Sequence, residues 1–347
     1  MKKLYLILSS CLLVISQGYS QNFFSDIFNN ERSTPKRRSA YEKHSSIAYG
    51  IGTSNYYGDL APLGRIVKST TQNINWNLSV DLTRHLTPHT SIRFGLSWIR
   101  LSGDDSNFEG DVKYQSLFFR NTHFRNDLQE LSAVGVYHFI KEERTYTLRH
   151  QIAPYIFGGF SLLHHNPVAQ APSGVPDVDA GEWVSLQPLG TEGQTLPTST
   201  IAPYNLIVTN ALAGLGCRVK LNKQWDIAYE LGLRYLFTDY IDDVGGVYGD
   251  KAAMSVNDPL SAVFGHRELE LVAVRKGINR EAAIRQWYVD QGSPQGAAVP
   301  VSAFPIAPGT AAGGTRNFSN TLNDIYMLNT FKLVYHITPQ IKCPKPR

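Results

Sequence analysis

Three segments of this chain alternate apolar and polar residues, two of them over ten to fourteen positions, and that run length is the tightest constraint on its fold. In the first, Ile74, Trp76, Leu78, Val80 and Leu82 alternate with Asn75, Asn77, Ser79, Asp81 and Thr83. In the second, Ile92, Phe94, Leu96 and Trp98 oppose Arg93, Gly95 and Ser97. In the third, Trp225, Ile227, Tyr229, Leu231, Leu233, Tyr235 and Phe237 oppose Asp226, Ala228, Glu230, Gly232, Arg234 and Thr238. Successive side chains of a strand point to opposite faces, so each run is a strand with one apolar and one polar face. Ordinary strands average ~5 to 6 residues, whereas crossing an outer membrane at a tilt takes ~9 to 11. The longer runs select a transmembrane barrel over a soluble sandwich, with the apolar face toward lipid and the polar face toward the lumen.

The same reading along the chain predicts eight strands, near residues 45–54, 72–84, 90–101, 126–139, 151–162, 205–221, 225–238 and 323–337. This is an all-β fold: an eight-stranded antiparallel up-and-down barrel spanning residues 45–338. Its connections alternate. Residues 85–89, 140–150 and 222–224 are short, while 55–71, 102–125, 163–204 and 239–322 are long, about 17, 24, 42 and 84 residues. In single-chain bacterial barrels the short turns are periplasmic and the long loops extracellular, and an even strand number puts both termini on the short-turn side.

The first twenty residues carry Lys2 and Lys3, an apolar stretch from Leu4 to Ile15, and small residues before Gln21, the pattern of a secretory signal peptide. Leu8-Ser9-Ser10-Cys11 also fits a lipoprotein box, although cutting there would leave apolar residues 12–15 downstream. After Gln21 no apolar stretch reaches the ~20 residues of a spanning helix. The whole chain has a net charge of +4, and losing Lys2 and Lys3 leaves about +2, which points to no nucleic-acid partner. Residues 21–44 read as a basic periplasmic arm and 339–347 as a periplasmic tail. Cys217 and Cys343 survive processing, either paired or as two free thiols.

Eight strands enclose room for side chains and little more. The inward parity collects Asp81, Arg93, Glu130, His138, Asp226, Glu230, Arg234 and Lys332, whose mixed signs predict a salt-bridged plug. The last loop is too long to lack structure. Helical spacing marks 259–265 and 267–288, with Leu269, Ala273, Ile284 and Trp287 on one stripe, whereas the Pro/Gly/Ala-rich 294–314 reads as mobile. Asp239, Asp242, Asp243 and Asp250 could hold Ca²⁺ but lack the EF-hand spacing, so loop-base hydrogen bonding is the competing reading. His164 and His165 are neighbours on a strand end and point apart, which disfavours a metal pair. No Gly-x-Ser-x-Gly motif occurs, and nothing calls for catalysis or a cofactor.

The segment 49–60, with Tyr57-Gly58-Asp59, and the segment 234–244, with Asp239-Tyr240-Ile241-Asp242-Asp243, resemble a Bacteroidetes outer-membrane barrel family that includes PorG of the type IX secretion system. Phe118-Phe119-Arg120-Asn121, Glu130-Leu131-Ser132, Ala153-Pro154-Tyr155-Ile156-Phe157 and Asp324-Ile325-Tyr326 extend the resemblance over most of the mature chain outside the long loops. Two features depart from it: longer third and fourth loops, and Val136 with His138 where a more polar pair is expected. The resemblance implies an outer-membrane protein in contact with lipid and with a periplasmic lipoprotein ring, serving protein secretion and gliding. Arg37, Arg38, Lys141, Glu142, Glu143, Arg144 and Arg149 are the expected ring contacts. The rival readings are a surface-binding or transport barrel, suggested by the long last loop, and a lipid-modifying enzyme, suggested by barrel size alone.

Overall fold

A computed structural model describes residues 41–175, 177–293, 299–307, 309–317 and 323–337. Eight strands run through it: β1 (His44–Tyr57), β2 (Asn75–His85), β3 (Thr90–Asp104), β4 (His123–His138), β5 (Ile152–His164), β6 (Ile207–Lys220), β7 (Trp225–Leu236) and β8 (Ile325–His336). Each pairs antiparallel with its sequence neighbour, and β8 pairs with β1 from Tyr57↔Ile325 to Ser46↔His336. These eight strands therefore close into an antiparallel barrel, and the start of β4 pairs beyond it with Pro167–Gln170, which in turn pairs with Trp183–Ser185. Among the described residues no helix is long and apolar enough to cross a membrane.

The alternation places side chains as the runs require. Tyr49, Ile51, Leu96, Trp98, Phe160, Leu215, Leu233 and Phe331 stand exposed on the outside. A contiguous apolar belt of that kind is unfavourable in water and suits a hydrocarbon surround. Aromatic pairs mark its two rims, Trp76 against Trp98 at one and Trp225 against Tyr335 at the other. The chain is a membrane barrel of the outer-membrane type.

Several strands run further than the alternation suggests. β1 continues to Tyr57, β3 to Asp104 and β5 to His164, while β4 starts at His123. Beyond the belt the ends of β1 and β3 and the start of β4 are covered on both faces, and period two disappears there because neither face meets lipid or water, whereas β5 keeps its alternation to exposed His164. A hydrophobic core fills that upper section: Tyr56, Leu60, Ile99, Leu101, Phe124, Leu128, Leu163, Leu236, Ile241, Val244 and Tyr326 are all buried. Conversely, Gln72 ends helix α1 (Ile66–Gln72) instead of opening a strand.

The long loops form a folded cap. It holds α2 (Gln115–Arg120), α3 (Lys251–Asn257), α4 (Pro259–Gly265) and α5 (Glu281–Asp290). Pro at the first turn and an Asp258 side chain accepting from the Leu260 N–H explain where α4 begins. The helix expected over 267–288 forms only in its second half. Val272–Ala273 and Ile278–Asn279 instead pair as a small hairpin turning at Gly277, whose φ of +67° suits glycine and breaks a helix. The stretch expected to be mobile also packs where it is described: Val301, Phe304 and Ala307 bury against Ile284 and Tyr288 of α5 and Phe119 of α2.

Candidate functional site: a sealed lumen and its two ends

Three layers of polar side chains close the barrel from one end to the other. In the middle layer Arg93 donates to Glu230 at 2.6 Å, and Lys332 lies 2.7 Å from Asp81 and 2.6 Å from the other Glu230 oxygen. Arg234 reaches Glu130 at 3.5 Å, with the Tyr326 hydroxyl donating to the same carboxylate at 2.5 Å. Three carboxylates (Asp81, Glu130, Glu230) thus face three cations (Arg93, Arg234, Lys332). Such a balance is what a low-dielectric interior demands, because an unpaired buried charge costs several kcal/mol. A cavity of about 20 Å³ among these groups has room for about one water.

The lumen wall is not polar all round. Val134, Val136, Tyr155, Phe157 and Leu212 form an apolar strip inside β4, β5 and β6. It exists because glycines face the rings: a Cβ on Gly214 would come 2.3 Å from Phe157, and one on Gly216 would come 2.5 Å from Tyr155. Val136, which departs from the expected polar pair, belongs to this strip. Spacing alone does not reveal it, because the same parity places Val134 and Glu130 on one face.

At the short-turn end Arg149 acts as a cork. Its guanidinium pairs with Asp226 at 2.5 Å and donates to the carbonyls of Tyr146, Asn222, Lys223 and Trp225, pinning the 221–224 turn over the opening. Arg218 links Asp226 at 3.3 Å to Glu142 at 2.7 Å, and the Tyr41 hydroxyl donates to Glu142 at 2.6 Å. Glu142 and Arg149, expected as exposed ring contacts, are therefore buried and internally satisfied. Turn residues have no period, so their charge says nothing of their direction. Lys141, Glu143 and Arg144 do stay exposed, and Arg37 and Arg38 lie outside the described residues.

Four histidines, His44, His85, His138 and His336, also line this end. Ser46, His85 and Glu142 stand in the order of a hydrolase triad, with Ser46 Oγ 3.1 Å from His85 Nε2. Glu142, however, lies 3.7 Å from His85 and already holds Arg218 and Tyr41. Ser46 is 3% exposed inside the barrel, beside a cavity of about 30 Å³, too small for an acyl substrate.

At the long-loop end the quoted family segments meet. The Tyr56 hydroxyl lies 2.5 Å from Asp242 and 2.8 Å from Asp324, and the Ile241 backbone is held by Asp324 and Asn126. Gly58 passes so close that a Cβ would strike the Tyr56 hydroxyl at 2.0 Å, and neighbouring Tyr57 bonds Thr70 of α1 at 2.8 Å. Arg120 pairs with Asp105 and donates to the carbonyls of Asp59 and Arg316, tying three loops together. Arg280 donates to the carbonyls of Phe118, Phe119 and Glu270, tying the second long loop to the last.

The four aspartates weighed for Ca²⁺ do not converge on one point. Asp239 accepts from Asn317 at 2.5 Å, Asp242 from Tyr56, Asp243 from Thr191 and Tyr204, and Asp250 caps α3. Burial, with Asp59 nearby, pushes Asp239 up to about 7. Burial also lifts Asp243 to about 6 against the pull of Arg316. Burial and Asp324 raise Asp242, while burial and Asp239 raise Asp324. The raised values favour the neutral carboxyl, which is a poor ligand for a hard cation. His165 is buried against the Asn205 carbonyl, while His164 bonds Gln129 on the exposed side, so the two do not meet. Among the described residues Cys217 forms no disulfide, and Cys343 lies outside them.

A family model described as a domain of unknown function, DUF6089, matches residues 37–171, from the end of the N-terminal arm through β5. No curated protein matches the chain by sequence. Among solved structures it is similar to Neisserial surface protein A, with 7% identity over 84% of this chain and 96% of that one, at a TM-score of 0.34. It is also similar to Ail of Yersinia pestis, with 9% identity over 85% and 98% at 0.32, and to OprG from Pseudomonas aeruginosa, with 7% over 86% and 98% at 0.31.

Proposed function

We propose that this chain is a non-enzymatic, non-conducting anchor in the cell outer membrane, a structural component of the type IX secretion and gliding machinery that meets a periplasmic lipoprotein ring with its short-turn end. The observation that carries the anchoring role is the lumen, filled across its width by paired charges and apolar side chains. A barrel with no path through it contributes position and surface. The secretion role draws on the sequence resemblance together with the placement of both chain ends. Tyr41 bonds Glu142 and the Ile337 N–H bonds the Ser45 carbonyl, so the N-terminal arm and the C-terminal tail leave from the end that presents Lys141, Glu143 and Arg144.

Pull-down of the tagged barrel from solubilised outer membrane is expected to recover ring lipoproteins. Charge reversal at Lys141 and Arg144 should reduce that recovery several-fold while leaving the barrel folded. Recovery of the barrel alone would sink the secretion reading.

A second reading, surface binding by the same barrel, is favoured by the cap. Buried Arg120, Arg267, Arg280 and Arg316 and three separate apolar clusters hold its loops in one arrangement, as presentation of a fixed surface requires. Deleting residues 259–314 separates the two: lost surface binding with normal secretion selects the second reading.

A further inference from the structure

Where the barrel closes on itself, three adjacent strands each place a histidine on the lumen side. His44 opens β1, His85 ends β2 directly opposite it, and His336 ends β8 opposite Ser46. All three are at most 3% exposed, and one ring nitrogen from each lies within 4.8 Å of the others.

Their hydrogen bonds leave the group one proton short. A neutral imidazole has a single N–H. His336 Nε2 lies 2.8 Å from the Asp226 carboxylate, which only accepts, so the proton sits there and Nδ1 presents a lone pair. That lone pair faces His44 Nε2 at 3.2 Å. His44 Nδ1, in turn, faces the Glu42 carbonyl at 3.3 Å, another acceptor. One proton on His44 cannot serve both sides.

We propose that His44, His85 and His336 form a binding site for a divalent transition-metal ion of the zinc class. With an ion between them, His44 Nδ1 donates to Glu42, His336 Nε2 donates to Asp226, and both remaining nitrogens turn lone pairs toward the cation. The carboxylate behind His336 is the usual outer partner of a metal-bound imidazole. Two nitrogens ~2.0 to 2.1 Å from a tetrahedral ion stand about 3.3 Å apart, close to the spacing found here. Imidazole ligands suit zinc, copper and nickel rather than the oxygen-seeking Ca²⁺ or Mg²⁺.

His85 supplies the third nitrogen. Its ring stacks on His44, with centroids 4.2 Å apart and 11° between planes, and stacked rings cannot aim at one point. Binding therefore swings His85 away from Ser46 and Ser91, which it now contacts at 3.1 and 3.0 Å, and the adjoining cavity of about 30 Å³ gives room for this. His85 also belongs to a triad with His138 and Glu142, but there the carboxylate is held by Arg218 and Tyr41. The two nearby guanidiniums, Arg149 and Arg218, are balanced by Asp226 and Glu142, so no net charge repels the ion. The ion would clip β8, β1 and β2 together across the closing seam. The site does not depend on the secretion reading, and either can fail alone.

The test is a titration of the mature chain, folded in detergent and stripped with a chelator, by Co²⁺ and then Zn²⁺. One equivalent of Co²⁺ should give the visible absorption of a four-coordinate site made of three imidazoles and one water, and Zn²⁺ should bleach it. His44→Gln and His336→Ala should each remove the bands. Asp226→Asn should weaken the ion about tenfold or more, and His89→Ala, on the same rim, should change nothing. A folded wild-type barrel that gives no bands overturns the site, as do bands that persist in the double variant of His44 and His336. The wild-type titration decides on its own, so a variant that fails to fold does not shelter the proposal.

Discussion

Glu230 holds three partners at once, Arg93, Lys332 and the Tyr155 hydroxyl. Truncating it would strand buried Arg93 and leave Lys332 with Asp81 alone, whereas trimming an exposed pair strands no buried charge. Glu230→Ala is therefore expected to lower barrel stability by about 3 to 5 kcal/mol. Asp127→Asn, which breaks the half-exposed Arg100–Asp127 pair, should cost ~0.2 to 1 kcal/mol. Urea unfolding of the two variants in detergent checks the contrast, and equal losses would falsify the claim that the lumen pairs are structural. This layer was legible in the sequence because strand parity alone turns Asp81, Arg93, Glu230 and Lys332 inward. Arg149 and Glu142 were not legible. They sit in a turn, and only the closed barrel shows that the turn folds back into its own opening.

At the level of elements, legibility follows the same division. Strands were readable wherever lipid lies on one side and the lumen on the other, and their ends were lost where loops cover both faces, as at Tyr56 and Phe124. The cap was readable only at α4 and α5, because its order comes from arginines bridging distant loops, a contact with no local signature. The junction between cap and barrel carries the aspartates whose pKa is raised, which makes it sensitive to pH. Asp239, raised to about 7, keeps a proton in the folded cap that an unfolded chain releases near pH ~4. The raised carboxyls at Asp242, Asp243 and Asp324 act in the same direction. The Asp239 contribution is full below pH ~4 and fades as pH rises through about 7. Protease cleavage of the loops should accordingly be slower at about pH 5.5 than at about pH 8.5. Asp239→Asn should flatten the difference, and an unchanged pH dependence in that variant would remove Asp239 from the account.

For the whole molecule the question is which part closes the barrel, the cap or the lumen. The cap covers the upper section, but the charge layer of Arg93, Glu230, Lys332 and Asp81 lies within the lipid-facing zone, and Arg149 closes the lower opening independently. Each layer is balanced in charge by itself, so neither needs the cap to stay paired. Removing residues 259–314 takes away Arg280 and its hold on Phe118 and Phe119, yet leaves Arg120, Arg316 and every lumen group in place. The truncated barrel should still run as a folded, heat-modifiable species on gels. In planar bilayers, neither it nor the wild type should show discrete conductance steps. Steps in the truncated form alone would mean that the cap is the gate and the lumen a channel, and the anchoring role would give way to transport.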